Sequence, residues 1–111
     1  MKPGNLSFFT RKRSAVEERD YTRHADVVRA AIPGAFRSLG WKARATQSGK
    51  IEASWAGSFG TEGSVVIRIL TVKKGTRVRA ESVARRGGLD FGQNASKIRE
   101  FFLKLDLSLS L

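Results

Sequence analysis

Arg85-Arg86-Gly87-Gly88-Leu89-Asp90-Phe91-Gly92-Gln93-Asn94 is where a strand hands over to the last helix of the chain. Upstream lie two runs of β-branched and apolar residues, 64–72 and 76–83, joined by Lys73-Lys74-Gly75. Downstream, Ile98, Phe101, Phe102 and Leu105 recur at helical spacing over 96–105 and predict an amphipathic helix. Between them Asp90 and Gln93 stand three apart, the spacing of a capping box, so the helix is predicted to start at Asp90. Gly87 and Gly92 permit the turn, and Asn94 belongs to the same turn-and-cap group. Arg85 is placed to pair with Asp90. Strands followed by a terminal helix, with no crossover between them, indicate an α+β domain.

The rest of the chain fits that frame. Val28, Ile32, Phe36 and Leu39 form one apolar stripe and predict a helix over 25–39, stopped by Gly40. Pro33 lies inside it, so a kink or break near Ile32 is expected. Strands are predicted at 41–47 and 50–56, with Ser48-Gly49 as a turn and a glycine-rich loop at 57–63. Short turns between consecutive β runs imply an antiparallel meander. The expected architecture is α-β-β-β-β-α, a four-stranded antiparallel sheet with both helices on one face. Residues 14–21 fit either a short helix opening on Ser14-x-x-Glu17 or an additional first strand. Residues 1–13 read as a basic arm in which Phe8 or Phe9 docks on the core, 14–106 as the single domain, and 107–111 as a short tail.

Alternation sorts the strand side chains by face. Trp41, Ala43, Ala45, Ile51, Ala53, Trp55, Val78, Ala80 and Ser82 fall on the side expected to meet the helices. Lys42, Arg44, Lys50, Arg68, Arg77 and Arg79 fall on the other, against Glu52 and Glu81 alone. The open face is therefore expected to be basic. A solvated polar face is the ordinary reading of such a pattern, and charged side chains also discourage edge pairing.

Composition narrows the function classes. The 111 residues carry a net charge of +11, which points to an anionic partner. An apolar fraction of 41% is enough for one folded core. Cysteine is absent and His24 is the single histidine, which excludes disulfides and thiolate zinc sites and leaves a catalytic triad without support. His24 is expected to sit exposed or to cap the first helix. Glu17, Glu18 and Asp20 stand among arginines and read as surface ion pairs. The loop at 57–63 lacks the Lys-Ser/Thr end of a phosphate-binding loop and leads into a strand. No apolar run approaches the roughly 20 residues a membrane helix requires, and the first residues lack the apolar core of a signal peptide. A cytoplasmic location is the resulting expectation. Because both tryptophans point toward the helices, base stacking on the open face is disfavoured.

Three pieces of sequence resemble an uncharacterised bacterial family, the domain of unknown function fourteen ninety-nine. They are Leu39-Gly40-Trp41 with Gly49-Lys-Ile-Glu-Ala53; Val65-Val-Ile-Arg-Ile69 with Gly75-Thr-Arg-Val78; and Ser82-x-x-Arg85-x-Gly87-x-x-Asp90-x-Gly92-x-Asn94-x-x-Lys97-Ile98. The resemblance implies a small α+β domain and no settled activity. Members usually place an acidic pair just before the central strand, where this chain has Gly63-Ser64. Members also often begin with a membrane or lipoprotein segment, and the first residues here are not expected to form one.

The functional expectation is a non-enzymatic binding or adaptor domain, with no metal or cofactor. Lys42, Arg44, Arg68, Arg77, Arg79 and Arg85 would meet an acidic protein or anionic membrane headgroups. Arg68 and Arg85 are further expected to share an anion near the N-terminus of the last helix. The alternative is a nucleic-acid binder that contacts phosphates without reading sequence. A small basic nuclease or toxin is a third class with few groups to support it.

Overall fold

A computed structural model describes residues 14–45, 50–57, 60–86 and 93–110. The elements are β1 (Ser14–Tyr21), α1 (Ala25–Leu39), β2 (Lys42–Ala45), β3 (Lys50–Ala56), β4 (Glu62–Val72), β5 (Gly75–Arg86) and α2 (Gln93–Leu109). The basic arm, the turn at 48–49, and Gly87, Asp90 and Gly92 with the capping box built on Asp90 lie outside the described residues. So does the side chain of Arg85.

Among the described residues the sheet has five strands rather than four, in the order β1-β5-β4-β3-β2, with every pairing antiparallel. The meander β2 to β5 is as expected. The additional member is β1, which pairs with β5 from Ser14 opposite Val83 to Tyr21 opposite Thr76 and becomes an edge strand. Of the two readings of 14–21, the strand is therefore the one realised. Its alternation is hidden in the sequence because Glu17 and Arg19 occupy positions on the helix side of the sheet.

Helix α1 begins at His24, whose backbone is extended and whose Nδ1 accepts from the Asp26 amide at 3.2 Å. It ends at Gly40 with φ of 74°, where the Gly40 amide donates to Arg37 O and the Trp41 amide to Phe36 O. The helix is continuous through Pro33, so of the expected kink or break the break does not occur. Pro33 is exposed, and the hydrogen bond it cannot make is lost on the solvent side. Helix α2 extends to Leu109, past the expected tail, because Leu109 is buried one turn beyond Leu105.

Both helices cover one face of the sheet. Val28, Ile32 and Phe36 from α1 meet Ile98, Phe101, Phe102 and Leu105 from α2 over Val65, Ile67, Val78 and Ala80. Phe101 is the centre of this layer, with ring centroids 5.6 Å from Phe36, 6.4 Å from Trp41 and 5.2 Å from Phe102. Ala53 and Ala80 leave room for the helices above the sheet. Trp41 and Trp55 are both buried on this side, as alternation predicts. Among the described residues, no helix is long and apolar enough to cross a membrane.

Candidate functional site

The strand register arranges the open face in lines that cross the sheet. One line runs Lys50, Arg68, Arg79, Glu18 over β3, β4, β5 and β1. The next, toward the β4–β5 turn, runs Leu70, Arg77, Asp20. On the other side of the first line lie Arg44, Glu52, Val66, Glu81 and Val16. Beyond these comes Lys42 opposite Ser54, and Glu62 stands at the far end of β4.

Strand β1 changes the charge balance of this face. Arg77 makes a two-point ion pair with Asp20, Nε to Oδ1 at 2.8 Å and a terminal nitrogen to Oδ2 at 3.1 Å. Arg79 donates to Glu18 Oε2 at 3.1 Å, and Arg44 to Glu52 Oε1 at 3.4 Å. The expectation of only two carboxylates on this face is therefore corrected: Glu18, Asp20 and Glu62 join Glu52 and Glu81. The hydrogen bond from Arg77 holds the Asp20 carboxyl below its usual range.

What survives is an uneven distribution. The half of the face nearest the β4–β5 turn carries Lys50, Arg68, Arg77 and Arg79, and Lys73 and Lys74 at the turn itself, against Glu18 and Asp20. Among the described side chains, the far half carries Glu52, Glu62 and Glu81 beside Lys42 and Arg44, and Arg86 stands in register with Glu62. Among the described residues, Arg68 has no carboxylate in ion-pair contact. It stands directly between Lys50 and Arg79, an arrangement of like charges that opposes sheet formation.

A cavity of about 360 Å³ opens at the same end, lined by Asp20, Tyr21, Thr22, Val72, Lys73, Lys74 and Arg77. Leu70, 46% exposed, stands beside it on the open face. The structure does not bring Arg68 and Arg85 together. Arg68 is opposite Arg79, which leaves Arg85 six residues along β5, roughly 20 Å at the rise of a strand. No single anion bridges that distance.

The residues that carried the family resemblance have structural work of their own. Trp55 Nε1 donates to Ser82 Oγ at 3.0 Å, and Ser82 Oγ donates to Asn94 Oδ1 at 2.7 Å, which ties β3, β5 and the first turn of α2 together. Lys97 Nζ lies 5.6 Å from the centroid of the Trp55 ring. Gly63 is also explained. A Cβ there would stand 2.3 Å from Trp55 Cζ2 and 2.5 Å from Val83 O, so no other residue fits beneath the indole.

A second polar group, not legible in the sequence, closes the β1 edge against α2. Asp106 accepts from Arg19 at 2.6 Å and from the Tyr21 hydroxyl at 2.7 Å, and Arg19 also donates to Glu17 at 2.8 Å. The Arg19 guanidinium lies 4.7 Å from the centroid of the Phe102 ring. Burial and the hydrogen bond to Asp106 push the Tyr21 phenol well above its ordinary value. Together with the Glu18 and Asp20 contacts, this bears out the reading of these acids as ion-pair partners. Among the described residues, no group of three or more His, Asp or Glu is placed to hold a metal ion.

The described residues thus form a five-stranded antiparallel sheet covered on one side by two helices, with an open face on which the charge of the described side chains is graded by register. The chain belongs to the family described as "Protein of unknown function (DUF1499)", whose model matches residues 4–105. Among curated proteins nothing matches the sequence. Similar solved structures share the fold at low identity. A protein from Mesorhizobium loti is 16% identical with a TM-score of 0.66, covering 88% of this chain and 97% of that one. An uncharacterised protein from Rhizobium leguminosarum is 16% identical with a TM-score of 0.55, covering 87% and 93%. A chain of the adenylate sensor from AMP-activated protein kinase, in complex with 5-aminoimidazole-4-carboxamide 1-beta-D-ribofuranotide, is 12% identical with a TM-score of 0.62, covering 80% and 93%.

Proposed function

We propose that this chain is a non-catalytic, cytoplasmic binding domain that engages an anionic macromolecular surface through the turn-proximal half of its open sheet face. The observation that carries the reading is the line Lys50, Arg68, Arg79 with Lys73, Lys74 and Arg77 beyond it. Directly opposed like charges lower the stability of a sheet. Glu18 pairs with Arg79, while Arg68 keeps like-charged neighbours on both sides with no carboxylate in ion-pair contact among the described residues; a local rule broken in this way on an exposed face is a mark of function. An anion laid across this line removes the repulsion.

The test compares two double charge reversals that change the net charge equally. Arg68→Glu with Lys73→Glu alters the proposed surface, and Arg29→Glu with Arg37→Glu alters exposed positions on α1. The measurement is the salt concentration needed to elute each variant from a polyanionic resin such as immobilised heparin. The first pair is expected to elute at markedly lower salt than the second. Equal elution of the two pairs would mean that overall charge alone drives retention, and the reading would fail.

A further inference from the structure

We infer that the anionic surface is that of a lipid bilayer, with the β4–β5 turn as the docking point and Leu70 as the apolar contact. This rests on the reading given under the proposed function and names the partner for the same surface.

Three observations select a bilayer. The first is the extent of the hairpin. β3 pairs with β4 only as far as Lys50 opposite Arg68, while β4 continues to Val72 before turning into β5. The open side of Ile69–Val72 therefore has no strand beside it among the described β3 pairings, and Leu70 is left 46% exposed.

The second is the company of that leucine. Arg68 and Arg77 flank it on its own and the neighbouring strand, and Lys73 and Lys74 follow at the turn. An exposed apolar side chain ringed by cations is the pattern of a peripheral membrane contact, where the cations meet lipid phosphates and the apolar group enters the interface. The third is the absence of any aromatic ring on the described open face, since single-stranded nucleic acid is held by stacking on such rings. Asp20 and Glu18 hold Arg77 and Arg79 in place without cancelling the charge of Arg68 and the two lysines.

The test is flotation of the full chain with vesicles of phosphatidylcholine alone and of equimolar phosphatidylcholine and phosphatidylglycerol. Binding is expected only to the anionic vesicles, and to weaken with salt. Removing one cation near an anionic surface lowers partition by about five-fold, so Lys73→Ala with Lys74→Ala is expected to lower it by more than ten-fold. Leu70→Ser, which keeps every charge, is expected to lower it several-fold at unchanged salt. Circular dichroism of each variant establishes that it is folded.

If the unaltered chain fails to bind anionic vesicles, or if Leu70→Ser and the lysine variant bind as it does, the inference is overturned. The heparin comparison separates the two levels. Retention that depends on Arg68 and Lys73 without vesicle binding removes the bilayer and keeps the anionic partner. Loss of both removes both.

Discussion

Ser82 Oγ and Asn94 Oδ1 are 2.7 Å apart in the closed core, and the same hydroxyl accepts the indole N–H of Trp55. One serine thus satisfies two buried polar groups from different elements. Ser82→Ala takes one hydrogen-bond partner from each; a buried polar group left unsatisfied costs roughly 1–3 kcal/mol, and Asn94 keeps other contacts. Urea unfolding is expected to show a loss of about 1–4 kcal/mol. A loss below about 1 kcal/mol would mean that the contact adds little to the core.

Two glycines give opposite outcomes on replacement by alanine. At Gly63 the new methyl would collide with Trp55 and the Val83 carbonyl, so Gly63→Ala is expected to destabilise by about 1–3 kcal/mol. At Gly34, within α1, the nearest atom to the new methyl is the tip of Arg37 at 3.7 Å. Gly34→Ala is expected to stabilise by about 0.5–1 kcal/mol through helix propensity. Thermal melts of the two variants, moving in opposite directions, check both statements.

Tyr21 is the single tyrosine of the chain, so an alkaline spectrophotometric titration reads one phenol. Its midpoint is expected above 10, because burial and the bond to Asp106 favour the neutral form. The folded value is raised, so the associated stability is complete below the unfolded value and is lost as pH rises through the folded one. Asp106→Ala is expected to lower the midpoint, leaving it above 10 through burial alone. Asp20 shows the opposite sign. Its folded value is lowered by Arg77, so its contribution is present above the unfolded value and lost as pH falls through the folded one. Carboxyl-carbon NMR is expected to place Asp20 below ordinary aspartate, and Arg77→Ala to return it there.

Arg68→Thr separates stability from binding. The substitution removes two cross-strand repulsions and introduces a β-branched residue, so a gain of a few tenths of a kcal/mol is expected. Retention on heparin is expected to fall at the same time. A variant that loses stability and keeps full retention would contradict the functional reading of Arg68.

Most of the fold was legible because its signals are local. The stripe Val28, Ile32, Phe36 and the alternation through Val78, Ala80 and Ser82 declare helix and strand within a few residues. The extension of α2 was also marked by the four-residue step from Leu105 to Leu109, which the polar residues around it obscured. What could not be read depended on register. β1 hides its alternation because Glu17 and Arg19 face the helices, where Asp106 and the Phe102 ring receive Arg19. Only with β1 in place do the carboxylates of Glu18 and Asp20 join the open face and lower its charge. The contact between Ser82 and Asn94 joins residues on separate elements and follows only from the tertiary packing.

In the proposed function, the turn-proximal half of the open face receives the anion. Titrating ¹⁵N-labelled protein with a soluble heparin oligosaccharide, and following the amide shifts, tests it most directly. The largest changes are expected on Lys50, Arg68, Lys73, Lys74, Arg77 and Arg79, with α1 and the far half of the sheet little affected. Changes centred on α1, on α2 or on the strand ends around Lys42 and Glu62 would contradict it.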